Sequence, residues 1–206
     1  MDTDGKILVV EDIPNVLDLL EITLKFRGYQ VMTARNGKEA LERITDEKPA
    51  LIVTDILMPT MDGFTFVQKL RTEPQTLDIP VIFVSATYIS PEDKAFALSL
   101  GASTFIEKPI DTEEFLLTIA ELLSKRTPST RRPLDRESFY EGYRNRLENK
   151  LRYKATQIAR AERLVNTVGD DQKAAYKALL EQALQDRKEI EKELQEVYRV
   201  IEEMHS

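Results

Sequence analysis

The chain has 206 residues, no cysteine, a single histidine (His205) and a formal net charge of −7. This length can hold one full α/β domain and a smaller second region. The absence of cysteine excludes disulfides and cysteine-based zinc sites, and a lone penultimate histidine argues against Ser-His-Asp triads, histidine-ligated metals and histidine phosphotransfer domains. No apolar run approaches the ~18 residues of a membrane span and no signal pattern begins the chain, so we expect a cytoplasmic protein without membrane association.

Residues 1–125 alternate between short apolar runs and longer amphipathic stretches. Four apolar runs stand out, at 6–10, 50–54, 80–84 and 104–107. Such runs, separated by helix-length segments, predict buried parallel strands alternating with helices. Polar side chains directly follow or end these runs: Glu11, Asp12, Asp55, Ser85 and Lys108. Because the carboxyl ends of parallel strands meet at one edge of the sheet, these side chains are expected to share one crevice.

The predicted helices carry their own start and stop signals. Pro14 suits the first turn of a helix that runs to about Phe26 and ends at Gly28. A short strand at 30–34 precedes a helix capped by Asn36. A third helix is predicted at 64–71. A fourth begins at Ser90-Pro91 and ends at Gly101, and a fifth follows a cap at Asp111 or Thr112.

The chain changes character after residue 125. Residues 126–134 contain two prolines and three arginines and are predicted to be a linker. In residues 135–206 the core positions recur at alternating steps of three and four, beginning with Tyr140, Arg144 and Leu147, which predicts two long heptad helices. They are interrupted at Gly169-Asp170-Asp171, where glycine ends one helix and aspartate caps the next. We therefore expect an antiparallel helical hairpin or coiled coil, in which Lys154 faces Asp186.

Opposite charges mark the two predicted helices. Residues 131–168 have a net charge of +5 and residues 169–206 a net charge of −4. The basic residues of the first helix are expected to spread around it, so pairing between the helices explains the charges better than nucleic-acid binding. A lone hairpin buries little surface, so a homodimer with a four-helix arrangement, or another protein partner, is expected to complete it.

The polar edge of the sheet predicts a particular chemistry. Glu11-Asp12 alone could simply cap the following helix, but Asp55 directly follows a buried strand, where no local need for charge exists. Three carboxylates repel one another, and a divalent cation with hard oxygen ligands such as Mg²⁺ would relieve that repulsion. With Lys108 and Ser85 nearby, this arrangement suits a phosphoryl group on a carboxylate.

These motifs resemble a known family. Asp55-Ile-Leu-Met-Pro-Thr-Met-Asp-Gly and Lys108-Pro109 are similar to the phosphoacceptor loop and the lysine–proline pair of receiver domains in two-component response regulators, over residues of about 5–125. The resemblance implies a flavodoxin-like, doubly wound five-stranded parallel sheet with strand order 2-1-3-4-5. It also implies that Asp55 accepts a phosphoryl group from a sensor histidine kinase or a phosphotransfer protein.

The resemblance implies roles for single residues as well. Glu11 and Asp12 would hold Mg²⁺ together with Asp55 and the backbone carbonyl of Leu57. Ser85 and Lys108 would contact the phosphoryl oxygens, and Phe105 would be the switch aromatic that is buried when Ser85 is engaged. The Lys108-Pro109 bond is expected to be cis. Glu11 and Ser85 stand where many members have aspartate and threonine, and both are family variants.

Three functions compete at this point. The leading hypothesis is a phosphorelay protein with a receiver domain at 1–125, a linker at 126–134 and an output or dimerisation region at 135–206, which switches protein–protein association. The alternative is a transcription regulator that binds DNA through the basic C-terminal helix. A Mg²⁺-dependent phosphohydrolase would need an acid two residues after Asp55, where Leu57 stands, so we expect no enzyme.

Overall fold

The computed structural model describes residues 5–86, 90–125 and 134–205. The chain forms two compact units that separate between Leu134 and Asp135. The predicted linker at 126–134 lies outside the described residues, except for Leu134. No helix within the three described ranges is both long enough and apolar enough to cross a bilayer.

The first unit is built on a five-stranded, wholly parallel sheet. Its strands are β1 Ile7–Val10, β2 Val31–Ala34, β3 Leu51–Asp55, β4 Val81–Ser85 and β5 Thr104–Glu107. Their order in the sheet is β2-β1-β3-β4-β5. Every residue of β1, β3 and β4 is buried, which explains why these strands appear in the sequence as continuous apolar runs. The predicted doubly wound α/β fold is confirmed.

Helices connect the strands. They are α1 Pro14–Phe26, α2 Gly37–Asp46, α3 Gly63–Thr72, α4 Pro91–Ser99 and α5 Thr112–Lys125. A core cluster packs Leu17, Leu20 and Leu24 of α1 and Phe115 and Ile119 of α5 against alternate residues of the sheet. The inward faces of α1 and α5 are those expected from helical spacing.

The helix caps follow the local sequence. The side chain of Asn36 accepts a hydrogen bond from Glu39 N at 3.0 Å, and Ser90 forms a capping box with Asp93. Asp111 accepts bonds from Glu113 N and Glu114 N at 2.9 Å. Of the two caps predicted for α5, Asp111 is therefore the one in use, and the Asn36 and Ser90 predictions are confirmed.

The second unit is a pair of antiparallel helices, α6 Arg136–Thr167 and α7 Asp170–His205. Three contacts between the helices fix their direction. Lys154 Nζ donates to Asp186 Oδ2 at 2.9 Å, Tyr198 donates to Glu148 at 2.7 Å, and His205 lies 3.4 Å from Glu137. The predicted hairpin, its break beside Gly169 and the pairing of Lys154 with Asp186 are confirmed.

The heptad assignment at the start of α6 was wrong by one position. It placed Tyr140 and Arg144 in the core, but both are only partly buried. Phe139 and Tyr143 are the buried residues there, with exposures of 0% and 2%. A straight α-helix has 3.6 residues per turn and drifts by ~20° per heptad, so a strict seven-residue repeat loses the buried face over a long helix.

Candidate functional site

The sequence-predicted site residues lie at the carboxyl edge of the parallel sheet. Glu11 directly follows β1, Asp55 ends β3, and Ser85 ends β4. Lys108 directly follows β5, and its main-chain N–H donates to the carbonyl oxygen of Ser85 at 3.0 Å. Parallel pairing therefore gathers groups from four strands into one place.

Lys108 joins two carboxylates from different strands. Its ammonium donates to Glu11 Oε2 at 2.7 Å and to Asp55 Oδ2 at 2.6 Å. The side chains of Glu11, Asp55 and Lys108 are 1%, 9% and 16% exposed. Because water is largely excluded, the attraction is stronger than that of a surface ion pair, and removing any one partner would leave a buried charge unpaired.

Main-chain donors hold the other carboxylate oxygens. Asp55 Oδ1 accepts hydrogen bonds from Ile56 N at 2.5 Å and from Leu57 N at 3.3 Å. Glu11 Oε1 accepts a bond from Ile13 N at 3.3 Å. Both carboxylates are thus oriented by the backbone of the loop that follows their own strand, with their second oxygens turned toward Lys108.

Burial and charge shift the pKa values of this cluster. Burial raises the pKa of Glu11, and the charge of Asp55 adds to this, against the opposing hydrogen bond from Lys108. Burial and Asp55 likewise raise the pKa of Asp12. Burial lowers the pKa of Lys108, but its bonds to Asp55 and Glu11 outweigh burial, so its pKa stays above the ordinary value. The ammonium is therefore firmly charged at neutral pH, beside three carboxyl groups.

Ser85 and Phe105 occupy the neighbouring strands β4 and β5. Ser85 is fully buried at the end of β4. Phe105 lies in the middle of β5, opposite Phe83, and is only partly buried. Sequence reasoning missed Lys94 of α4, whose ammonium lies 5.9 Å from the centre of the Phe105 ring and also pairs with Glu107. The Lys108–Pro109 peptide bond is cis, as predicted.

The loop after β3 is shaped by close contacts beneath Asp55. Gly63 N donates to the carbonyl oxygen of Ile56 at 2.8 Å, and a Cβ on Gly63 would lie 2.2 Å from the carbonyl oxygen of Asp55. Only glycine fits at this approach. Asp62 caps α3 through bonds to Phe64 N and Thr65 N, while Thr60 adopts a positive φ of 69°. Thr60, Asp62 and Gly63 therefore set the path of the loop that carries Asp55 and Leu57.

A second missed feature is an apolar outer face on α1. Leu19, Ile22 and Phe26 are 63%, 65% and 86% exposed, although they lie one helical face away from the buried leucines. Their spacing of three and four residues is a pattern typical of one helical face, and this pattern in the sequence could have identified them. We name these three residues the α1 apolar stripe. Since α1 begins two residues after Asp12, this stripe lies on the helix that leads out of the site.

The oxygen donors suit a hard divalent cation in type but are not gathered around one point. Within the described part of the chain, no group of three or more acidic, histidine or cysteine side chains is arranged to hold a metal ion. Lys108 instead bonds to both Glu11 and Asp55. Mg²⁺ retains several waters and needs only one or two carboxylates, so this donor set fits Mg²⁺ by its chemistry.

Comparison with known proteins identifies the family. The family described as Response regulator receiver domain matches residues 7–120. The chain also resembles a crystal structure of the chemotaxis response regulator CheY4 of Vibrio cholerae, with 32% identity and a TM-score of 0.54 over 57% of this chain and 98% of that one. The chain belongs to the response regulator receiver family.

Two curated relatives extend the comparison. The first is the DNA-binding dual master transcriptional regulator RpaA of Synechocystis, 36% identical over 58% of this chain and 49% of its own length. The second is the response regulator SaeR of Staphylococcus aureus, 32% identical over 66% of this chain and 58% of its own length. The chain thus spans about half to three-fifths of the relatives' length. RpaA is described as DNA-binding. The comparison therefore does not support the expectation that pairing between the helices, and not nucleic-acid binding, explains the charges.

Proposed function

We propose that this protein is a phosphorelay response regulator in which Asp55 accepts a phosphoryl group and thereby switches protein–protein association. The observation that carries the proposal is the bridge from Lys108 to both Asp55 and Glu11 at the sheet edge. The buried Asp55 carboxylate supplies a nucleophilic oxygen, and the Lys108 ammonium beside it supplies a positive charge for the phosphoryl oxygens. We propose an acceptor of phosphoryl groups and not an enzyme that turns over a substrate.

Each site residue has a proposed part in the transfer. Glu11, Asp12, Asp55 and the main-chain carbonyl of Leu57 would hold Mg²⁺, which when bound neutralises charge on the phosphoryl oxygens. An Asp55 carboxylate oxygen attacks phosphorus as the bond from phosphorus to the donor's histidine nitrogen breaks, and the donor leaves with a free imidazole, while Ile56 N and Leu57 N keep the carboxylate oriented. Lys108 leaves Glu11 and pairs with the phosphoryl oxygens, and the Ser85 hydroxyl donates to them.

The phosphodonor is proposed to be a sensor histidine kinase or a phosphotransfer protein that docks on the α1 apolar stripe. The stripe is exposed and lies on α1, which begins two residues after Asp12, so we propose that a partner seated on it reaches Asp55 with its own donor group. Ile22→Glu should slow transfer from any kinase that labels the wild type, because a charge would be buried in the contact. Labelling by acetyl phosphate should be unchanged in this variant, and Leu77→Glu, on the loop after α3, is the matched control.

Output is proposed to pass from the site to the helical hairpin. When Ser85 turns toward the phosphoryl group, Phe105 turns inward and its contact with Lys94 changes, which alters the surface of α4, β5 and α5. The hairpin of α6 and α7 self-associates as a homodimer with a four-helix arrangement. The limited core of two helices supports this, since a second copy would cover partly buried apolar residues such as Leu151 and Ile190.

Intact-mass spectrometry tests the proposed phosphorylation. Incubation with acetyl phosphate and Mg²⁺ should add one phosphoryl group that hydroxylamine removes, as expected for an acyl phosphate. Asp55→Asn should abolish the added mass, whereas Asp18→Asn, an exposed aspartate on α1, should leave it unchanged. Addition of the group to the Asp55→Asn protein, or no addition to the wild type, would reject Asp55 as the acceptor.

A further inference from the structure

The outward face of α6 carries three arginines with a shared orientation. Arg152, Arg160 and Arg163 are exposed and fall within ~80° of one another around the helix, at ~100° per residue. Three further exposed residues lie on the same face or at its edge: Asn149, Tyr153 and Thr156. We name these six residues the arginine stripe. The sequence predicts that the basic residues of α6 spread around the helix, and these three arginines are the subset of them that shares one face.

The arginines of this stripe are not used inside the hairpin. Lys154 turns inward to Asp186, and Arg144 lies 3.8 Å from Glu148. In residues 134–205, by contrast, none of the three stripe arginines forms an ion pair, and Arg152 donates only to the neutral Asn149 at 2.6 Å. Pairing between the two helices therefore leaves three guanidinium groups unneutralised on one face.

The composition of the stripe indicates the partner. A protein interface usually needs a central apolar cluster, whereas Tyr153, at the edge of the stripe, is the only large exposed hydrophobic side chain among its six residues. Arginine, asparagine, threonine and tyrosine are the side chains that contact phosphates of nucleic acid. Arg152 and Arg163 are eleven positions apart, or about 16 Å along the helix, which suits the phosphates that border the ~12 Å major groove of B-DNA.

We propose that the arginine stripe binds the phosphate backbone of double-stranded DNA. This site is independent of phosphorylation at Asp55 and goes beyond the function proposed above. Three phosphate contacts give modest affinity, and the net charge of −8 on residues 1–126 reduces it further. Binding should therefore depend steeply on salt, with a slope of log affinity against log salt of about −3.

Fluorescence anisotropy with the full chain and a labelled 30-bp duplex of mixed sequence tests the proposal. The triple variant Arg152→Glu, Arg160→Glu, Arg163→Glu should lose at least about tenfold in affinity at low salt. The matched control reverses three exposed lysines of α7, Lys177, Lys188 and Lys192, which gives the same change in net charge. The control should lose less than about threefold, and both proteins should keep the helical circular dichroism of the wild type.

Other results would overturn the proposal. An equal loss in the lysine control would show that net charge and not the stripe governs binding. Equal affinity for duplex RNA would exclude the major groove, because that groove is deep and narrow in A-form helices. No binding by the wild type at 50 mM salt, together with a changed molar mass of the arginine variant in light scattering, would instead assign the stripe to an acidic surface of a second copy.

Discussion

The ammonium of Lys108 donates to Asp55 Oδ2 at 2.6 Å across 53 residues of sequence. The same ammonium bonds Glu11, so one positive charge offsets two buried negative ones. This arrangement holds the acceptor carboxylate in place before a phosphoryl group arrives. It also means that Lys108 must exchange partners when Asp55 is modified, which links the chemistry to a change in structure.

Lys108→Ala should destabilise the first unit mainly when no divalent cation is present. Loss of the ammonium leaves Glu11 and Asp55 buried and unpaired, a cost of about 3 kcal/mol in EDTA. Millimolar Mg²⁺, or the second substitution Asp55→Asn, should recover most of that stability, because each removes carboxylate repulsion. Urea unfolding of the full chain measures this. A loss that neither Mg²⁺ nor Asp55→Asn reduces would show that Lys108 stabilises the fold by packing.

Thr60→Gly should stabilise the first unit. Thr60 has a φ of 69°, a conformation that costs a β-branched residue about 1–2 kcal/mol and costs glycine almost nothing. After the higher chain entropy of glycine is subtracted, the gain should be about 0.5–1 kcal/mol. Thr60→Ala retains the unfavourable φ and should show no gain. Equal stability of the two variants in urea unfolding would refute strain at this position.

Much of the first unit could be predicted because its signals are local. Continuous apolar runs identify strands buried on both faces, and the polar residues at their ends identify the functional edge. In this way the sequence alone predicts that Asp55 and Lys108 lie at the same edge of the sheet. The caps at Asn36 and Ser90 depend only on residues within one turn, which a sequence displays directly.

Other features depend on tertiary geometry and could not be predicted. Arg71 is a buried arginine whose guanidinium donates to the carbonyl oxygens of Ile79 at 2.9 Å and Gly101 at 3.0 Å, and its burial lowers its pKa to about 10. No sequence pattern distinguishes it from an exposed arginine. The one-position error at Phe139 has a similar origin, since small errors in helical phase accumulate along a long helix.

Asp186→Asn should weaken the hairpin in a pH-dependent way. Burial raises the pKa of Asp186, but hydrogen bonds from Lys154 and Gln182 outweigh burial and hold its pKa below the ordinary value. A lowered carboxyl pKa stabilises the folded state above the unfolded pKa of about 4, and this contribution is lost as pH falls through the folded value. At pH 7 the variant should lose about 1 kcal/mol.

The control for Asp186 is a pair on the surface of the same helix. Glu196 lies 2.6 Å from Arg199, and both side chains are more than half exposed, so Glu196→Gln should cost less than about 0.5 kcal/mol. Thermal unfolding of the full chain at pH 7 and pH 3 compares the variants. A penalty for Asp186→Asn that is as large at pH 3 as at pH 7 would contradict a charge-based contribution.

The most direct test of the account is the molar mass of the full chain in both phosphorylation states. Sedimentation velocity at 1–100 µM (about a hundredfold range) should give different dimer dissociation constants with and without acetyl phosphate and Mg²⁺. Typical couplings between two sites predict a change of about fivefold or more. Asp55→Asn should remove the difference. Identical association in both states, or a difference that persists in Asp55→Asn, would contradict a switch operated from Asp55.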